Sequence, residues 1–184
     1  MDGDQAGAMG VTPTGDGGHP SASVSVFDFD GTLRAGDTLS DFVRWYWRRN
    51  RPLGRDDRLR RRRAMLAALG YVTGAADPAS AKHAALSSLP YSAIREIPRF
   101  WREDTRTWHT DALALLEREL LAGRRVVLAS ASPDVFLLPL VTGVAVPPLS
   151  SGWRFGGMQV ELVSTHVEEA ADGYLALSGQ NCRD

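Results

Sequence analysis

Val24-Ser25-Val26-Phe27-Asp28-Phe29-Asp30-Gly31-Thr32-Leu33 decides the fold. Val24, Val26, Phe27 and Phe29 make a short β-branched and aromatic run, the composition of a buried strand. The run ends in two carboxylates, Asp28 and Asp30, two positions apart. On an extended backbone such a pair points roughly the same way. One carboxylate can attack phosphorus while the other protonates a leaving oxygen, and together they attract Mg²⁺, which prefers oxygen ligands. Gly31 lets the chain turn sharply, so that backbone N–H groups and the Thr32 hydroxyl can meet phosphate oxygens.

Working outward, a helix is expected to begin near Thr38, with Thr38 and Asp41 spaced as a capping box. Leu39, Phe42, Val43, Tyr46 and Trp47 follow on one helical face. An arginine-rich segment comes next, then Met65, Ala68, Leu69 and Val72 at helical spacing. Residues 74–80 read as a loop. Residues 81–107 read as helical, with a break at Leu89-Pro90 and a kink or new start at Pro98. Thr110 or its neighbour caps a further helix with a stripe of Leu113, Leu116, Leu120 and Leu121, stopped by Gly123. Val126-Val127-Leu128-Ala129-Ser130 is a second buried strand. Residues 158–165 and 174–177, around Asp172-Gly173, read as a β-hairpin. Short, continuous apolar strands favour a parallel sheet covered on both faces, whose ligands gather at the strands' carboxyl ends. Asp28, Asp30 and Ser130 all fall there.

Val26-Phe27-Asp28-Phe29-Asp30-Gly31-Thr32-Leu33 resembles motif I of the haloacid dehalogenase-like (HAD) hydrolases. Leu128-Ala129-Ser130-Ala131-Ser132-Pro133 resembles motif II of their subfamily IB, the subgroup of phosphoserine phosphatase and bacterial phosphatidylglycerophosphatase. The resemblance implies an α/β fold: a Rossmann-like parallel sheet core with a helical cap inserted between the two motifs. It implies a core of 24–36 plus 109–184 and a cap of 37–108, while the composition of residues 1–23 reads by itself as a disordered tail. It implies Mg²⁺-dependent phosphomonoester hydrolysis through an aspartyl-phosphate. Asp28 would be the nucleophile and Asp30 the general acid/base, with both serving the metal, Asp30 through its backbone carbonyl. Ser130 would hydrogen-bond the phosphoryl group, and Gly31, Thr32 and Ala131 would line its binding loop. Asp37, nine positions after Asp28, stands where phosphoserine phosphatases place a substrate-reading carboxylate, although a helix N-cap explains it equally well.

Two further family motifs are not visible: a lysine that neutralises the phosphate, and a later acid pair that completes the metal site. The sole lysine, Lys82, precedes motif II. Ser164-Thr165-His166 through Asn181-Cys182 resembles the hairpin that precedes the family lysine. The expectation is a core incomplete at its C-terminus, a truncated member with impaired activity and an exposed sheet edge. Arg154 or Arg183 is a poor substitute for the lysine, and Glu168, Glu169 and Asp172 are a weak substitute for the acid pair.

The composition, with 43% hydrophobic and 23% charged residues in 184, is that of a globular domain. It excludes collagen, coiled coil and disulfide-rich modules. Residues 1–23 carry six glycines and two prolines without apolar periodicity and lack a signal-peptide pattern. Cys182 is alone, and His19, His83, His109 and His166 are scattered, so neither type suggests a metal site. These features place the chain in the cytoplasm. Residues 44–63 hold ten arginines against Asp56 and Asp57, +8 in a chain of net charge −1. That run could meet an anionic membrane, with Trp45, Tyr46 and Trp47 at a headgroup interface, or it could be a solvated helix face. No pattern for sequence-specific nucleic-acid binding accompanies it. The expected substrate is a small phosphate ester or a phospholipid headgroup. A non-catalytic phosphate-binding module and a basic surface binder are the alternatives.

Overall fold

Phe27 and Phe29 turn inward from the first strand and Asp28 turns outward, as strand alternation requires. The computed structural model describes residues 23–52, 54–143, 149, 152–155 and 158–178. The elements run β1 (Val24–Asp28), α1 (Thr38–Arg49), α2 (Arg55–Val72), α3 (Pro78–Leu86), a 3₁₀ turn (Tyr91–Glu96), α4 (Ile97–Glu103) and α5 (Thr110–Leu121). They continue β2 (Arg125–Pro133), α6 (Asp134–Val141), β3 (Arg154–Phe155), β4 (Met158–Gln159), β5 (Glu161–Glu169) and β6 (Leu175–Ser178). The main sheet has the order β1-β2-β5-β6. β1 is parallel to β2, and β2 is parallel to β5. The fold is α/β and Rossmann-like, as expected.

Several local expectations change. β1 is an edge strand among the described residues, and Val24 and Val26 are 45% and 64% exposed rather than buried on both faces. Residues 74–80 are only partly loop, because Asp77 caps α3 by accepting the Ser80 N–H at 2.9 Å and Pro78 fits the first helical turn. Pro98 is a new start, in the first turn of α4, and 104–107 are not helical. Leu113, Leu116 and Leu120 are buried, but Leu121 faces water. The hairpin holds for β5 and β6, with His166 opposite Ser178, whereas 158–159 pair with β3 instead. Gly173 turns that hairpin with φ +79°.

The core is aromatic where the inter-strand helices meet the sheet. Phe29 is fully buried, edge-on to Trp101 and Trp108 at 5.9 and 5.7 Å. Phe42 lies between Phe100 and Phe136, at 5.4 and 4.9 Å. Tyr46 is buried, and Trp45 and Trp47 pack against the same core, so this trio is not a surface anchor. The chain leaves and re-enters the sheet side by side: Ala35 N–H donates to Thr107 O and His109 N–H to Leu33 O, both at 2.9 Å. No helix among the described residues is long and apolar enough to cross a membrane.

Arg34 locks this junction. Its guanidinium is fully buried and donates to both Asp104 carboxylate oxygens at 2.8 Å and to Asp41 at 3.1 Å. It also lies 5.4 Å from the Trp101 ring. Asp41 therefore serves Arg34 and Arg106 rather than a capping box; the α1 cap is Asp37. Removing one partner of a buried ion pair strands the other charge, at a cost of about 3–5 kcal/mol. Arg34→Leu is expected to lower unfolding free energy by that amount in urea titrations; a loss under about 1 kcal/mol would show the pair to be idle.

Candidate active site

Asp28 ends β1 on the exposed side, and its Oδ2 accepts a hydrogen bond from Thr32 Oγ1 at 3.1 Å. Between them Gly31 takes φ +79°, a left-handed turn open to glycine, and its N–H donates to Arg34 O at 2.7 Å. The turn folds the loop back so that the N–H groups of Thr32, Leu33 and Arg34 all converge on Phe29 O.

Asp30 is half-buried and engaged on both oxygens. Oδ1 accepts from Thr38 N–H at 2.9 Å and from Thr38 Oγ1 at 2.5 Å, and Oδ2 accepts from Ser132 Oγ. Burial pushes its pKa above the ordinary carboxylate value; the Ser132 and Thr38 bonds pull it down, nearby Asp37 adds to the rise, and burial wins.

Ser130 and Ser132 lie at the end of β2, both almost fully buried. Ser132 N–H donates to Ser130 Oγ at 3.0 Å, which leaves the Ser130 hydroxyl hydrogen to donate elsewhere. The register between β2 and β5 shifts after Ser130, so Thr165 pairs with Pro133 and a bulge carries Ala131 and Ser132. Bulges of this kind re-aim side chains beside active sites.

The structure thus brings Asp30 and Ser132 into contact, with Asp28, Thr32, Ser130 and Ala131 on the same two strand ends. Asp37 stands apart from that contact: it is exposed, and its Oδ1 accepts the Ser40 N–H at 2.7 Å as the N-cap of α1. Three residues at the site were not anticipated. Thr38 reads as a cap but binds Asp30. Ser132 is two positions after Ser130, the same-face spacing of a strand, and that spacing could have found it. Lys82 on α3 donates to Ala131 O and, at 2.7 Å, to Thr165 Oγ1. Nothing local announced this, because 49 residues separate Lys82 from Ala131.

The metal donors are of the right kind: the Asp28 carboxylate and the Asp30 main-chain carbonyl are oxygen ligands. They are also few. Among the described residues no group of three or more His, Cys, Asp or Glu could hold a metal ion. Asp172, in the exposed hairpin, pairs with Arg60 instead. Cys182, Arg183, His19 and most of the tail lie outside the described residues, as does the Arg154 side chain.

A parallel α/β sheet that sets an aspartate pair and a serine at adjacent strand ends places them where ligands bind in such folds. The chain belongs to the haloacid dehalogenase-like hydrolases: the family model matches residues 25–183. None of the curated proteins matches it. It is similar to a solved protein of unknown function from Bordetella pertussis Tohama I, at 20% identity and TM-score 0.62 over 86% of this chain and 67% of that one. It is similar to a HAD family hydrolase from Salmonella enterica subsp. enterica serovar Typhi at 15% identity and TM-score 0.52, covering 86% of this chain and 45% of that one. It also resembles cytosolic 5'-nucleotidase IIIB bound to cytidine at 13% identity and TM-score 0.50, covering 86% and 54%. The chain thus spans about two thirds or less of the length of these structures.

Asp30 gives a pH-dependent test. Below the ordinary carboxyl pKa both folded and unfolded chains carry the proton, and the group adds nothing to stability. Between the ordinary and the raised value the folded chain keeps a proton that the unfolded chain has released, so stability falls as pH rises through that window and stays lower above it, where the fold holds a half-buried anion. An asparagine fits the same partners: Oδ1 accepts from Thr38, and Nδ2 donates to Ser132 Oγ. Asp30→Asn is expected to raise Tm near about pH 7, with the gain fading toward about pH 4. Thermal melts at the two pH values check this; an unchanged or lower Tm at the higher pH rules it out.

Proposed function

We propose that this chain is a phosphomonoester hydrolase working through an aspartyl-phosphate on Asp28, on small phosphate esters. The observation that carries this is the asymmetry of the aspartate pair. Asp28 is exposed at the strand end, with one oxygen steadied by Thr32. Asp30 is half-buried, with a raised pKa. An exposed carboxylate beside a half-buried, hydrogen-bonded one suits opposite roles, the first as a nucleophile and the second as an acid.

An Asp28 carboxylate oxygen attacks phosphorus and forms an acyl phosphate bond as the ester P–O bond breaks. The departing alkoxide takes its proton from Asp30. Asp30, now ionised, accepts a proton from water, and the resulting hydroxide attacks the same phosphorus. The Asp28–phosphorus bond breaks, releasing inorganic phosphate and restoring both carboxylates. The Ser130 hydroxyl and the Ala131 N–H hold the phosphoryl oxygens, while the Gly31 and Thr32 N–H groups close the turn onto Arg34 O and Phe29 O and so shape the loop. Asp37, at the start of α1, is assigned to the substrate side of the site on the motif I resemblance. Mg²⁺ held by the Asp28 carboxylate and the Asp30 carbonyl would supply positive charge against the phosphate. With so few donors, metal binding is weak and turnover is slow.

Lys82 is a positioning residue in this reading. By holding the Ala131 carbonyl and Thr165, it fixes the bulge that aims Ala131 and Ser132 at the site. Lys82→Met is expected to lower kcat by about 10²-fold with little change in KM, and Lys82→Arg to recover part of the loss; an equal fall in both variants, or a change in KM alone, refutes that role.

The main test uses p-nitrophenyl phosphate with and without Mg²⁺. Slow, Mg²⁺-dependent phosphate release should fall by about 10³-fold or more in Asp28→Asn, and trapped phosphoenzyme should vanish with it. Turnover that survives Asp28→Asn sinks the aspartyl-phosphate on Asp28, and a parent protein that releases no phosphate puts the non-catalytic reading in the lead.

A further inference from the structure

Helix α2 is built inside out. Asp57 and Ala64 are its buried residues, and Arg60 and Arg61 lie half-buried on the same side. These inward arginines are paired. Arg60 binds Asp172 at 2.7 Å and lies 3.9 Å over the Tyr174 ring. Arg61 donates to Asn50 O at 2.7 Å and faces Asp57 at 3.6 Å. At 3.6 residues per turn, Arg55, Leu59, Arg62, Leu66 and Leu69 occupy the opposite face, flanked by Arg58, Met65, Arg63 and Val72. The aliphatics there are bare: Leu59 is 42% exposed, Leu66 59%, Leu69 60%, Met65 62% and Val72 81%. Among the described residues, no ion pair engages Arg55, Arg58, Arg62 or Arg63, whereas the inward arginines each have one. Asp56 is the only acid on the exposed part of the helix.

A row of aliphatics interleaved with unneutralised arginines selects one kind of partner. A second copy of this chain would set arginines against arginines across a two-fold axis, which like charge opposes. A nucleic acid would satisfy the arginines but leave five aliphatic side chains in water, with no exposed aromatic ring on the face for bases to stack on. An anionic bilayer surface accepts both classes at once, aliphatics into the headgroup boundary and guanidiniums onto lipid phosphates.

We propose that the outward face of α2, centred on Leu59, Arg62, Leu66 and Leu69, is a docking surface for an anionic lipid bilayer. It sits on the helix that packs on α3, the element carrying Lys82 to the phosphoryl-binding strand end. Docking is independent of the chemistry at Asp28, so the two readings fail separately.

The full 184-residue protein is tested by co-sedimentation with vesicles of phosphatidylcholine containing 30 mol% phosphatidylglycerol, roughly the anionic fraction that gives a substantial surface potential. Binding is expected to these vesicles and not to pure phosphatidylcholine. Arg58→Glu/Arg62→Glu should weaken it by about five-fold or more per charge removed. Leu66→Ser/Leu69→Ser should weaken it at least tenfold with unchanged circular dichroism, since both side chains already face water, and Asp28→Asn should bind like the parent protein. Absence of binding to the anionic vesicles, or leucine variants that bind as well as the parent, overturns the proposal. So does sedimentation equilibrium showing a dimer that the leucine variant dissolves, since a second copy then covers the face.

Discussion

One carboxyl group joins three separate pieces of chain. Asp30 leaves β1, receives both the N–H and the hydroxyl of Thr38 at the start of α1, and receives Ser132 from the end of β2. It ties the turn after β1, the entry to α1 and the bulge after β2 directly to one another. The group that ties them is also one whose charge the site discourages, because burial raises its pKa. Structure and chemistry therefore meet in one compromise: hydrogen bonds that hold the carboxyl in place and pull its pKa down, and burial that raises it.

Around that junction, the buried Arg34 plays the complementary part. It sits four residues on, fully enclosed, and gathers Asp41 from α1 and Asp104 from beyond α4. The outgoing and returning chains are thus held by a buried cation beside a carboxyl group held by neutral donors. Both lie in the turn that Gly31 permits, so a turn of a few residues sets how the helices between β1 and β2 approach the sheet.

The sequence made the centre of the site legible because its signals are local. Two acids at strand spacing, a glycine that must take positive φ, and a serine after an apolar run are all readable within a few residues. The parallel sheet followed from the same runs. What stayed hidden depends on distance or on surroundings. Lys82 reaches Ala131 across 49 residues, and Asp41 exchanges its expected cap for two arginines, neither of which neighbouring residues announce. Trp45, Tyr46 and Trp47 allowed two readings, an apolar helix face and a headgroup contact beside the arginine run, and the helix turns them to the aromatic core. Met65, Leu69 and Val72 recur at helical spacing and face water, because the stripe they belong to is not the one that α2 buries. Periodicity shows that a face exists and not which face is turned inward.

The place of β1 bears on how the protein is made. Val24 pairs with Arg125, so β1 leaves the ribosome about a hundred residues ahead of the strand it pairs with. Through that interval a short stretch of Val, Phe and Phe waits with open hydrogen-bonding edges, a composition prone to join other chains. Asp28 and Asp30 interrupt and close that stretch with charge, and Gly31 ends it. The pair proposed for catalysis is therefore also a gatekeeper of synthesis, keeping the nascent strand soluble until its partner arrives.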